Sequence, residues 1–72
     1  ITALLTRYRD QLSSIETIIH TGMTFEAQAF DLYSRLAARE TDRDLRDFYQ
    51  GMAAEEQAHL ARLARELDRR LG

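Results

Sequence analysis

Glu56 and His59 stand three residues apart in the segment EEQAH, residues 55–59. At helical spacing this puts a carboxylate and an imidazole on one face, a turn apart. The surrounding stretch, FYQGMAAEEQAHLARLARELDRRL, has the apolar period of an amphipathic helix, and both residues fall where apolar side chains are due. Glu26 interrupts an earlier apolar period in the same way. A buried carboxylate without a partner costs several kcal/mol, or takes up a proton. Two carboxylates and one imidazole converging on a point would instead suit a divalent cation, with iron, manganese and zinc as the matching metals. Glu-x-x-His alone is a weak signal, which a chain of this composition holds by chance in roughly one case in six. The question is whether Glu26 reaches the same place.

Two helical patterns must do the positioning. The first covers residues 14–39, with Ile15, Ile19, Gly22, Glu26, Ala29, Tyr33 and Leu36 at steps of four and three. Ser13 and Glu16 have the spacing of a capping box at its start. Upstream, residues 1–12 keep the same phase through Ile1, Leu5, Tyr8 and Leu12. They read as a separate short helix or as an extension of the main one, and a separate element is preferred here. The second helix covers residues 43–70, with Thr41 or Asp42 as its cap and a seam of Leu45, Tyr49, Met52, Glu56, His59 and Leu63. Asp44 and Asp47 suit the positive end of its dipole, and Arg69 and Arg70 the negative end.

A connection of about three to five residues makes the helices antiparallel neighbours. Residues equidistant from the turn then share a height. With the turn centred on Thr41, Glu26 is level with Glu56, Tyr33 with Tyr49, Gly22 with Leu60, and Met23 with His59. Around the second helix, Glu56 lies within roughly 20° of the mean apolar direction and His59 within roughly 50°, whereas Glu55 is off by roughly 85°. Glu26 lies within roughly 30° of the apolar direction of the first helix. Glu26, Glu56 and His59 are therefore expected to meet inside the hairpin. One hairpin leaves wide apolar stripes, flanked by Phe25, Phe30, Phe48 and Met52, and below about 80 residues a lone core is marginal. A second helix pair is expected, and a two-fold dimer would supply it. The doubled ligand set is four carboxylates and two imidazoles, whose charge with neutral His balances two divalent ions.

Composition narrows the alternatives. The chain has 72 residues, with 44% hydrophobic and 31% charged, enough for one small globular domain spanning 1–72. It has no Pro and three Gly, which favours an all-α fold over a turn-rich β fold. A net charge of -2 with interspersed signs offers no basic face for nucleic acid. No apolar run reaches membrane-spanning length. The absence of Cys excludes disulfides and thiolate metal sites within this sequence and fits a reducing compartment, so the cytoplasm is the expected location. The sequence begins at Ile1 rather than Met, and an upstream part of the same protein, able to contribute the other helix pair, is an expectation.

With these residues in place, a resemblance can be given. Glu26 followed by EEQAH resembles the ferritin-like superfamily of di-iron carboxylate proteins, and the rubrerythrin-like branch in particular; that ligand set is a known example for four-helix bundles. The likeness runs over roughly residues 15–68 along FEAQAFDLYSRLAARETDRDLRDFYQGMAAEEQAHLARL. The separation of Glu26, Glu56 and His59 is also similar to that in encapsulated ferritins, whose single hairpins dimerise around iron. The resemblance implies an antiparallel hairpin pairing into a ferritin-like four-helix bundle, as a homodimer or higher oligomer. It implies Glu26, Glu56 and His59 as metal ligands, two irons per helix-pair dimer, and oxidation of Fe(II) by oxygen or peroxide, a ferroxidase- or peroxidase-like activity. It adds Tyr33 as an aromatic near the site. The sequence departs from the pattern by having one helix pair rather than two, Ala29 and Phe30 at the next inward positions, and Gln28 where an extra acid can occur.

Other readings stand beside this one. The trio could be a polar layer that sets register in a non-catalytic oligomerisation module, or a metal sensor without turnover. His20 reads as a surface residue, Glu55 as a flank charge or a group orienting His59, Met23 and Met52 as core, and ARLARELDRR as a solvated face. Tyr33 and Tyr49 could bond the ligands or simply pack. Gly22 either leaves room for the imidazole or a close helix approach, or marks a bend among His20, Thr21, Met23 and Thr24.

Overall fold

The computed structural model describes residues 2–72, the side chain of Leu12 excepted. The expected roles of Ile1 and of the Leu12 side chain in the seam lie outside that description. Two helices are present, α1 (Thr2–Arg39) and α2 (Arg43–Leu71), joined by three residues. They pack along their length as an antiparallel hairpin with extents of 62 × 16 × 12 Å. The all-α hairpin and the short turn agree with the sequence.

The turn is fixed by its own side chains. Asp42 is the N-cap of α2, in extended conformation, and its Oδ1 accepts the Leu45 N–H at 3.0 Å. Glu40 Oε1 accepts the Asp42 N–H at 3.0 Å, which holds the cap in place. Each bond occupies a donor that helix geometry leaves free. At the far end, the Gly72 N–H donates to the Asp68 carbonyl at 2.8 Å and closes α2.

The preferred separate helix over residues 1–12 does not form; α1 continues through it without a break. Ser13 consequently does not start a helix. Its carbonyl accepts the Thr17 hydroxyl at 2.9 Å. A capping box satisfies orphan N–H groups, and inside a continuous helix those groups already have partners. Nor does the polar stretch around Gly22 break α1. The Thr24 hydroxyl turns back to the His20 carbonyl at 3.0 Å, so its hydrogen bonding stays within the helix.

At 1.5 Å per residue α1 is about 57 Å long and α2 about 43 Å. The first turns of α1 therefore project beyond the end of α2. Leu4, Leu5 and Tyr8 keep the phase of the packing face there, but each is at least 59% exposed because nothing stands opposite.

The core between the helices is thin. Ile19, Ala37 and Ala53 are buried, and among the described residues no large side chain is fully so. Removing the Asp42 cap should matter in so lean a fold: Asp42→Ala is expected to lower stability by about 1 kcal/mol in denaturant unfolding. Gly51→Ala should raise it by about 1 kcal/mol, because the added methyl meets nothing within 4 Å.

Candidate functional site

Glu26 projects from α1, and Glu56 and His59 from α2, into the seam halfway along the hairpin. One ligand atom from each lies within 4.8 Å of the others. The height rule placed Glu26 level with Glu56, but His59 approaches it closely: its Nδ1 is 3.4 Å from Glu26 Oε2 and 3.9 Å from Glu56 Oε2. Side chains tilt toward the N-terminus of their own helix, so in an antiparallel pair Glu26 leans toward the level of His59, and His59 toward the level of Glu26.

Exposure grades across the trio. The side chain of Glu56 is 16% exposed, Glu26 26% and His59 43%. The carboxylates form the floor and the imidazole the rim. Glu26 Oε2 is shut off from solvent and accepts no hydrogen bond. His59 stands beside it without making one, and among the described residues no Arg pairs with either carboxylate. A buried polar atom left without a partner typically costs about 1–3 kcal/mol.

The donor set can be tested for a cation. Two metal–ligand bonds of about 2.1 Å span at most about 4.2 Å. The loosest of the three pairs, at up to 4.8 Å, would have to close by about half an ångström. His59 Nδ1, 3.4 and 3.9 Å from the two carboxylates, is already within the span of one cation, so the adjustment falls on the two glutamates, and the trio then fits a divalent ion that retains positions for further ligands.

The other candidates separate. Tyr33 is half-buried, lies two turns or about 10 Å along α1 from Glu26, and makes no hydrogen bond to the trio. Tyr49 packs instead against Phe48, with ring centroids 5.9 Å apart. Glu55 is exposed and outside the cluster, and His20 is exposed, as expected. Met23 and Met52 are half-buried in the seam. At the C-terminal end, Glu66 bonds Arg69 and Arg70 on an exposed face. The hydrogen bond from Arg69, with the charges of both arginines, holds the Glu66 carboxyl below its ordinary range, and the same bond raises Arg69.

The cluster borders an exposed apolar row. Ile18, Phe25 and Leu32 recur every seven residues on α1 and are 69%, 66% and 53% exposed; Leu36 continues the row, and Phe48 on α2 is 57% exposed. The α1 row is turned about 100° from the line of helix contact, and Phe48 and His59 about 60–80° from it on α2. Because the chain direction reverses, these rotations carry all of them to one side of the hairpin. The rim of the Glu–His cluster therefore opens onto an exposed apolar face. Phe25 and Phe48 signalled that face in the sequence. The heptad spacing of Ile18, Phe25 and Leu32 was the signal that would have completed it.

No family model, curated protein or solved structure matches the chain.

Glu26 is thus costly to the hairpin by itself. Glu26→Leu, which replaces the unpaired carboxylate with a side chain of similar volume, is expected to stabilise the metal-free protein by about 1 kcal/mol or more in thermal unfolding.

Proposed function

We propose that the chain binds non-haem iron through Glu26, Glu56 and His59, at a site closed by a second copy in a ferritin-like four-helix bundle, and that it promotes oxidation of Fe(II) by oxygen or peroxide. The observation that carries this reading is the Glu26 oxygen, withdrawn from water, unbonded, and facing a second carboxylate and an imidazole. A divalent ion would supply the missing partner for each of the three.

In this reading Glu26 and Glu56 hold and charge-balance the cation, and His59 supplies a neutral nitrogen from the rim. The exposed row of Ile18, Phe25, Leu32 and Phe48 receives the second copy, which brings its own three ligands to the same level. The apolar contact also keeps bulk water from the carboxylates. Two ferrous ions held together would supply two electrons, which with two protons from solvent suffice to take oxygen to hydrogen peroxide or hydrogen peroxide to water. Manganese or zinc would fit the same donors without that turnover.

A polar layer in a non-catalytic oligomerisation module is the second reading. The 3.4 Å approach of His59 to Glu26 favours it, since protonation of the imidazole would turn that approach into an ion pair. Anaerobic titration with Fe(II), followed by admission of oxygen, separates the two. About one iron per chain and a transient absorbance are expected. Their absence would leave the module. Because the imidazole must be neutral to ligate, iron affinity should fall as pH drops below about 6. Iron should also raise the melting temperature and shift monomer to dimer in sedimentation. Chelation that changes neither would rule out a shared site.

A further inference from the structure

Gly22 sits in the interior of α1, a place where glycine costs about 1 kcal/mol relative to alanine. Its conformation does not call for glycine. No glycine among the described residues has positive φ, and α1 passes through position 22 as regular helix. What it provides is space. A Cβ at Gly22 would stand 3.2 Å from Leu63 Cδ1, tighter than ordinary van der Waals contact, whereas a Cβ at Gly51 would meet nothing within 4 Å.

The contact lies next to the trio. Gly22 precedes Glu26 by four residues and Leu63 follows His59 by four, so each is one turn from a ligand on the same helix. Leu63 is level with Ile19 and leans toward its own N-terminus, over the bare backbone of Gly22. Ile19 at that level is buried, and Leu63 is half-buried. The ligand atoms of the Glu–His cluster come from both helices and lie within 4.8 Å of one another, so a change in helix separation bears directly on them.

We propose that Gly22 is a positioning residue for this site: with Leu63 packed on its backbone, it sets the helix separation at which Glu26 reaches Glu56 and His59. The proposal rests on the metal-binding reading for its consequence, and on the geometry of the metal-free hairpin for its cause. Each half has its own measurement.

Cobalt(II), whose visible absorption reports its coordination, is titrated into the full chain as wild type, Gly22→Ala, Leu63→Ala and the double variant. Thermal unfolding of each metal-free protein is recorded alongside. Gly22→Ala should bind cobalt about tenfold more weakly or worse, the range seen when supports of metal ligands are altered. Its metal-free melting temperature should not fall, because alanine favours the helix. The double variant should recover the affinity while melting below wild type, since the leucine packing is gone. A purely structural role would move affinity and stability together. Wild-type affinity in Gly22→Ala, or no recovery in the double variant, overturns the proposal. If wild type itself binds no cobalt, the metal reading fails, and metal-free crystal structures decide the positioning. The distance from His59 Nδ1 to Glu26 Oε2 should lengthen from 3.4 Å in Gly22→Ala and return in the double variant; an unchanged distance sinks it.

Discussion

A carboxylate oxygen held out of water with no hydrogen-bond donor is the constraint around which this hairpin is arranged. Glu26 Oε2 lies in the seam between two helices whose buried core amounts to Ile19, Ala37 and Ala53. A fold with so little apolar burial has small reserves, and an unsatisfied polar atom costs on the order of 1–3 kcal/mol. The same seam also holds Glu56, and among the described residues the only basic group beside the pair is the His59 imidazole. An arrangement that is unfavourable in isolation is well suited to a ligand that removes the cost.

The surroundings are consistent with that constraint. A single helix pair encloses the carboxylates on one side and leaves His59 at a rim beside Ile18, Phe25, Leu32 and Phe48. An apolar row on a helix face is stable when another element covers it, and the same cover would complete the shell around the trio. Core and candidate site are thus open on the same side of the hairpin. Proposing a second copy answers both with one partner, and it makes ligand binding and assembly thermodynamically linked.

Glycine distribution shows how fine the tolerances are. Gly51 faces open space and has no packing role, whereas Gly22 lies under Leu63, whose Cδ1 would have to yield by a few tenths of an ångström to a methyl group 3.2 Å away. Both cost helix propensity, and only one returns anything to the structure. The helical period already separates them, since Gly22 falls in the seam of α1 and Gly51 outside that of α2.

Much of this protein was legible before any coordinates. Periodicity gave two strong helical patterns, the short ETDRD connection made them antiparallel, and counting outward from Thr41 set Glu26 level with Glu56, with His59 one turn away on the same face. These follow from the fixed rise and turn of an α-helix, which convert residue number into height and direction. Local signals failed where tertiary continuity overrode them. Ser13–Glu16 has the form of a helix start, yet α1 runs through it, since the backbone groups a cap would serve are already bonded. For Tyr33, on the same seam as Glu26, residue number alone already gives a separation of two turns. Only the packed structure decided that Glu26 would lose its solvent without gaining a donor, and that Leu63 would settle on Gly22. Both depend on how closely two helices approach, a distance set by the sum of side-chain contacts along the whole seam rather than by any one segment of sequence.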